Sequence, residues 1–305
     1  GAEQRVTPFR CIITRDGTPS DNINYSECKI ILQPHHFISP QGFKDFWKIV
    51  KRTAKKTGVE VFEAKDAFVN QVREVLFYDT PTHDLYNNHF IVRLRSFYKD
   101  GWPDGLPELT VKFRHPEFAA AAAVDVRPAT PTTSARIKFK EELLPLREGL
   151  GGFRMIYSHN CVVAMPREQM NLAVADMMRS FPALATVQTN PDHRMTLVND
   201  FAVEEVQVNV GSLGFGHGAK AKTTIAVWRD RQHERAICGE FAFQAKYDRR
   251  ESLDKDSLHR AVELYKTLQM EAFDWVTLGT TKTAIVYGLG GQVSNREGQT
   301  GQAGS

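Results

Sequence analysis

Arginine and lysine recur at every second position in several short stretches of this 305-residue chain. Arg93 and Arg95 do so in VRLR, Lys112 and Arg114 follow Thr110 in LTVKFR, and ARIKFKEELL spaces Arg136, Lys138, Lys140 and Glu142 in the same way. Side chains alternate between the two faces of a strand. Each set therefore shares one face, opposite apolar residues such as Leu94, Val111 and Phe139. Acids and bases also meet at Tyr25, Glu27 and Lys29 in NYSECKIIL, and at Glu240, Ala242, Gln244 and Lys246 in CGEFAFQAKYD. Arg229 and Arg231 share a face with Ile225 and Val227 in TTIAVWRDRQ. One such strand reads equally well as a solvated sheet face. Several on one sheet do not, because like charges on neighbouring strands repel and a concentrated basic surface calls for an anion. Forked arginine contacts and lysine point charges suit phosphate oxygens. Carboxylates among the cations suit a hard metal, Mg²⁺ or Mn²⁺, held between protein and phosphate oxygens.

The elements that carry these residues follow from local pattern. VLFYDTPTHDLYNNHFIVRLRSFYKDGWPDGLPELTVKFR, residues 75–114, reads as three short strands separated by Asp79-Thr80-Pro81 and by a turn from Lys99 to Gly105. Ser39-Pro40 supplies an N-cap and a first-turn proline. Phe43, Phe46, Trp47 and Val50 follow at helical spacing, with Lys44, Lys48, Lys51, Arg52, Lys55 and Lys56 on the other side, where a solvated face is expected. Residues 115–135 are Ala-rich, then Pro/Thr-rich, and read as a long excursion or mobile loop. Residues 153–165 read as irregular structure or a strand. A helix opened by Pro166 and ending near Pro182 carries Met170, Leu172, Val174, Met177 and Met178, the methionines as core filler. Strands resume through RMTLVND and VEEVQVNVGSLGF, and a long helix runs from about Asp256 to Trp275. TKTAIVYG, with Lys282, reads as a short strand or turn.

Composition bounds the rest. The chain is 42% hydrophobic and 25% charged, as expected of a globular protein with a sizeable core. A net charge of +3 is too small to announce nucleic-acid binding, so any basic site is local. No run of about 18 apolar residues points to a membrane span. Cys11, Cys28, Cys161 and Cys238 lie far apart without metal-site spacing and read as buried small hydrophobes or free thiols. Neither GxGxxG nor a P-loop occurs. The opening Gly-Ala-Glu fits processing or an added sequence and leaves the compartment open; a cytoplasmic protein is favoured, with export of a processed chain as the alternative. The expected organisation is an irregular segment at 1–23, one domain at 24–288, and a disordered Gly/Gln/Ser-rich tail at 289–305.

About eight strands and no βαβ rhythm favour an antiparallel α+β domain. If the strands close into a barrel, charged faces turned outward would leave the helices nothing to pack on. Turned inward, they line a tunnel whose apolar outer face the helices cover, and a barrel of about eight strands has room for one small ligand. Arg93, Arg95, Lys112, Arg114, Arg136, Lys138, Arg229 and Lys246 would then converge inside, offset in part by Glu27, Glu142, Glu205 and Glu240. A polyphosphate would offset the rest.

At these residues the chain resembles the CYTH superfamily, the triphosphate tunnel metalloenzymes. The match runs through Glu27 and Lys29, Tyr78-Asp79-Thr80-Pro81 with Leu85-Tyr86, Val92-Arg93-Leu94-Arg95, Leu109-Thr110-Val111-Lys112, Arg229/Arg231, Glu240 and Lys282. The resemblance implies an antiparallel tunnel that binds triphosphates with divalent metal, in a family of inorganic, thiamine and RNA triphosphatases and class IV adenylyl cyclases. By position, Lys29, Arg93, Arg95, Lys112, Arg229 and Lys282 look like phosphate binders, and Glu27 and Glu240 like metal ligands, with Glu142 nearby. The chain departs from the family where Tyr25 replaces an acid, where Ala242 and Gln244 follow Glu240 without a second carboxylate, and where Lys138 and Lys140 stand in place of acids.

Three classes of function follow. The first is metal-dependent hydrolysis of a triphosphate, with Mg²⁺ or Mn²⁺ on Glu27 and Glu240 and with Lys29 steering water or leaving group; cyclisation of ATP, as in an adenylyl cyclase, is its variant. The second is capture of a triphosphate, polyphosphate or nucleotide without turnover, favoured by the thinned carboxylates. The third is a lipocalin-like barrel with surface charge, which accounts for the alternation but not its sign.

Overall fold

A computed structural model describes residues 21–289. The expected segment 1–23 and tail 289–305 therefore lie almost wholly outside the described residues. Nine strands form the wall of one closed barrel: β1 (Tyr25–Leu32), β2 (Gln71–Asp79), β3 (Phe90–Lys99), β4 (Glu108–His115), β5 (Arg136–Leu144), β6 (Arg154–Ala164), β7 (Val203–Gly214), β8 (Lys220–Asp230) and β9 (Arg235–Lys246). Around the wall the order is β1-β5-β6-β4-β3-β2-β7-β8-β9, and β9 returns to β1. Every neighbouring pair is antiparallel except β1 and β5, which run parallel from Tyr25 opposite Lys140 to Cys28 opposite Leu143. The expected closed barrel with a charged interior and helices outside is present; it has one strand more than expected and one parallel seam.

Alternation fixes the faces. Cys28, Ile30 and Leu32 of β1 and Phe241 and Phe243 of β9 point outward into a large apolar cluster. That cluster is covered by α1 (Gln41–Lys56), through Phe43, Phe46, Trp47, Val50 and Ala54, and by the long C-terminal helix α5, through Leu264, Tyr265 and Leu268. We number the helices between them α2 (Asp84–Asn87), α3 (Phe118–Ala122) and α4 (Val174–Ser180), so that α5 is Lys255–Glu271 and α6 is Lys282–Val286. The Tyr265 hydroxyl lies 2.6 Å from the carbonyl of Lys29 and 3.2 Å from that of Leu143, so one buried phenol ties the two strands of the parallel seam. On the opposite side, Val92, Leu94, Leu109, Val111, Cys161 and Val163 pack under Val174, Met177, Phe181 and Leu184.

Three local expectations are revised, and for 153–165 the strand, one of the two alternatives expected, is the one formed. The segment after Pro166 is a 3-10 turn at Arg167–Gln169, then α4, then a second 3-10 turn at Pro182–Thr186 rather than one helix. The Ala-rich start of 115–135 folds into α3, whose Ala121 and Ala122 are buried against Phe139. TKTAIVYG is helical: the Thr281 side chain accepts a hydrogen bond from the amide of Ala284 at 3.1 Å, starting α6.

Strand β7 serves two partners. Val203–Gln207 pairs with β2, and Gly211–Gly214 pairs with the short strand Glu60–Glu63. The register shift between Asn209 and Gly211 makes the change, and Gly211 sits there at φ 138°, where a Cβ would lie 2.0 Å from the carbonyl oxygen of Phe62. Only glycine lets the backbones approach so closely.

One end of the barrel is filled by apolar residues. Ile31, Val75, Phe77, Ile91, Val203, Trp228 and Cys238 meet Val286 and Tyr287, the end of α6 and the residue after it. Asp79 organises this end. Its buried carboxylate accepts from the amides of Thr80 (2.7 Å), Leu85 (3.0 Å) and Tyr86 (3.0 Å), and from the hydroxyl of Tyr287 (2.7 Å). The Tyr78-Asp79-Thr80-Pro81 turn thus holds both α2 and the C-terminal plug.

Candidate functional site

The registers place the alternating charges inside. Lys29 opposes Ala242, Glu27 opposes Gln244 and Tyr25 opposes Lys246 across β1 and β9. On the other flank of β1, Glu142 opposes Glu27. Arg93 faces Thr110 across β3 and β4, while Lys112 and Lys138 both face Asn160 of β6. Lys29, Glu27, Arg93, Arg95, Lys112, Arg114, Arg136, Lys138, Lys246, Glu142 and Glu240 are thus all on inward faces, with Arg136 and Lys246 exposed at the rim.

Arg229 and Arg231 are not among them. Trp228 opposes Glu205 and turns inward, so Arg229 turns outward, where its Nε donates to Glu204 Oε1 at 2.9 Å. Arg231 pairs with Glu74 on the same outer surface, beside Arg167. Their expected convergence in the tunnel is overturned by the odd-even phase of β8, which Trp228 fixes. Sequence reasoning also missed inward groups. Arg73 reaches Glu205 at 3.1 Å, and it was lost because β2 was expected to start at Val75. Lys140, grouped by face with Lys138 and Glu142 but left out of the expected site residues, contacts Glu27.

The carboxylates are all engaged by cations. Lys29 Nζ lies 3.1 Å from Glu27 Oε1 and 3.1 Å from Glu142 Oε1. Lys140 Nζ lies 3.2 Å from Glu27 Oε2 and donates to Gln244 Oε1 at 2.8 Å. From α6, Lys282 Nζ enters the barrel 2.9 Å from Glu240 Oε1 and 3.7 Å from Glu205 Oε2, over the Trp228 ring. Trp228 Nε1 donates to Glu205 at 2.6 Å. Burial alone would raise the Glu27 pKa, but Lys140 and Lys29 outweigh it and hold the carboxyl well below its usual range. For Glu205, Arg95, Lys282 and Arg73 outweigh burial in the same sense. Burial likewise opposes charge on Lys29, and Glu142, Glu27 and Glu240 reverse that, raising its pKa.

A second group of cations has no such partners. Lys112 makes no ion pair or side-chain hydrogen bond among the described residues, and burial pushes its pKa well down. Nε of Arg93 and Nε of Arg95 are both buried without a hydrogen-bond acceptor. Arg93 has one long contact, 3.4 Å to Thr110 Oγ1, and its pKa is lowered by burial and then by Arg95. Lys138, lowered to about 8 by burial and by Lys140, has among the described residues only the ring of Tyr25 at 5.8 Å. Arg114 reaches Thr281 Oγ1 at 3.5 Å. Lys29, Arg93, Lys112, Glu142, Glu240 and Lys282 line a cavity of about 50 Å³ at the inner end.

The divalent metal implied by the resemblance needs free carboxylate oxygens. Both oxygens of Glu27 carry lysines, Lys29 bridges Glu27 to Glu142, and Lys282 holds Glu240. The inward neighbours of Glu27 and Glu240 are Tyr25, Ala242 and Gln244, which add no second acid. Glu142 Oε2, buried beside Lys29 and Lys112, is left without a hydrogen bond, but a single such oxygen among lysines does not make a divalent-ion site, and the residues do not fit one. Among the described residues, one group of three possible metal ligands lies close together, His217, Asp254 and Asp256 at the start of α5; it is outside the barrel, and Asp254 there caps the helix.

The ordered motifs and the closed, inwardly charged barrel agree with the architecture that the resemblance implies. Protein-family models and curated proteins give no match. Solved structures similar to it include a candidate adenylyl cyclase from Hippeastrum described as having a dominant triphosphatase activity, at 11% identity and a TM-score of 0.43, covering 87% of this chain and 96% of that one. A candidate adenylate cyclase from Vibrio parahaemolyticus is similar at 12% identity and a TM-score of 0.35, over 87% and 99% of the two chains. One from Bacillus halodurans gives 9% identity and 0.38, over 86% and 98%. No described helix is long and apolar enough to cross a membrane.

Proposed function

We propose that the barrel binds a triphosphate-class anion: inorganic triphosphate, or the triphosphate of an organic molecule. The observation that carries this reading is the surplus of inward cations. Arg93 and Lys112 are held by the wall in a region where burial opposes their charge, and Nε of Arg93 and Nε of Arg95 are buried without acceptors. Buried donors without acceptors are costly, and phosphate oxygens supply acceptors in the forked geometry that arginine matches. The inner cavity has room for a few waters or about one phosphoryl group. The rest of the anion extends toward Arg95 and Lys138, nearer the exposed rim.

Hydrolysis is the second reading. It is favoured by Glu142 Oε2, which is buried beside Lys29 and Lys112 without a hydrogen-bond partner. A carboxylate oxygen so placed accepts a proton from a water whose oxygen bonds to the terminal phosphorus as the bond from that phosphorus to the bridging oxygen breaks, releasing orthophosphate and the remaining diphosphate, while Arg93 and Lys112 stabilise the charge on the transferring group. Calorimetric titration of inorganic triphosphate, ATP and thiamine triphosphate, run beside phosphate-release assays with Mg²⁺, Mn²⁺ or EDTA, separates the two readings. Binding without release leaves a carrier or sensor, and binding with release makes an enzyme. Absence of binding by all three, or wild-type affinity in an Arg93→Ala/Lys112→Ala protein, overturns the proposal.

A further inference from the structure

The arrangement of lysines on the carboxylates has a consequence for how the anion is held. We propose that Lys29, Lys140 and Lys282 occupy the place of a divalent cation, so that the barrel takes its triphosphate-class anion metal-free. This inference rests on the proposed function above.

The geometry is that of an ammonium acting as a bridging cation. Lys29 Nζ sits at equal 3.1 Å distances from carboxylate oxygens on two neighbouring strands, Glu27 of β1 and Glu142 of β5. The other oxygen of Glu27 is taken by Lys140, which also donates to the amide oxygen of Gln244. Lys282 performs the same service for Glu240 and Glu205 from α6. A Mg²⁺ ion demands near-octahedral oxygen ligands at short distance. To reach these carboxylates it would have to displace ammonium groups that the β1, β5 and α6 backbones keep within the same small space. Two like charges would then be confined where one now neutralises the acids.

The flanking positions argue the same way. Where inward alternation would allow further acids, the chain has Tyr25, Ala242 and Gln244, and Tyr25 spreads its ring 5.6–5.8 Å from Lys138, Lys140 and Lys246. The aromatic face accommodates cations there. With the acids neutralised by lysine, Arg93, Arg95 and Lys112 remain for the ligand. Free triphosphate carries more negative charge than its Mg²⁺ complex and fits this set better. Added Mg²⁺ therefore competes for the ligand instead of bridging it to the protein.

The test is calorimetric titration of inorganic triphosphate into the full chain, in EDTA and in excess Mg²⁺. Binding in EDTA at least as tight as in Mg²⁺ is the expected result. In a Lys29→Met protein, affinity in EDTA is expected to fall about tenfold or more, because Glu27 and Glu142 lose the cation that neutralises them and repel the anion, and Mg²⁺ or Mn²⁺ is expected to restore part of it by taking the vacated place between Glu27 and Glu142. Wild-type binding that appears only with Mg²⁺ or Mn²⁺ overturns this inference and leaves the triphosphate reading standing. Binding in neither condition overturns both. The wild-type comparison decides the matter even if the variant does not fold.

Discussion

The two faces of the same barrel wall carry the same residue types to different ends. On the outer face, Arg229 has Glu204, and Arg231 and Arg167 share Glu74, so each guanidinium meets a carboxylate at the surface. On the inner face, Lys29, Lys140, Lys282 and Arg73 have acids, while Arg93, Arg95 and Lys112 have none within ion-pair distance among the described residues. Outside, charge is balanced locally and screened by water. Inside, it is left in surplus where solvent cannot screen it. Surplus under burial, not basic composition, is what the proposed binding role rests on.

The comparison breaks most directly at its unpaired members. Arg93→Ala combined with Lys112→Ala is expected to weaken triphosphate binding at least about a hundredfold, since each charge-assisted contact is worth about 1.5–3 kcal/mol; calorimetry reads it. The paired inner set tests the other half. Glu142→Gln leaves Lys29 with one carboxylate fewer and is expected to cost about 3 kcal/mol of stability in denaturant unfolding, as when one partner of a buried pair is removed. Saturating triphosphate is expected to recover part of that loss by mass action.

Proton linkage sharpens the contrast further. Burial holds the Lys138 pKa at about 8 and the Lys112 pKa below its ordinary value, and a bound anion raises both. Below pH 8 Lys138 is protonated with or without ligand, so it contributes no pH dependence there. Above pH 8 the free protein has lost a proton that the complex retains. Affinity is then expected to fall by up to about tenfold per pH unit for each such lysine, with proton uptake visible as a buffer-dependent binding enthalpy. The smallest effect belongs to the outer face. Arg229→Ala and Arg231→Ala are each expected to change triphosphate affinity less than about twofold and stability by less than about 1 kcal/mol; a large loss of binding would return these residues to the site.

Much of the inner lining was legible because alternation is a local property. One odd-even phase per strand places Arg93 with Arg95, Thr110 with Lys112, and Glu27 with Lys29. The same argument failed for Arg229, where grouping by face was right but the choice of face was not; Trp228, adjacent and bonded to Glu205, is what turns Arg229 out. The parallel seam between β1 and β5 could not be read, because pairing between residues more than a hundred positions apart leaves no local trace. Nor could α6. Its Thr, Ile and Val suit a strand by propensity, and it is helical because the Thr281 cap and the apolar pocket receiving Val286 and Tyr287 outweigh that preference. Lys282 was picked out by resemblance, yet its entry from a helix that closes the barrel was not foreseen.

That closure makes the interior a blind socket instead of a through-channel. With Tyr287 seated against the barrel floor and hydrogen-bonded to Asp79 at 2.7 Å, a ligand enters and departs by the same rim, past Arg136 and Lys246. A long polymer cannot be threaded and gripped at its middle; only a free end can be inserted. On the triphosphate reading proposed above, the fold would discriminate by topology before chemistry, admitting termini and refusing interiors, whatever group trails behind the phosphates.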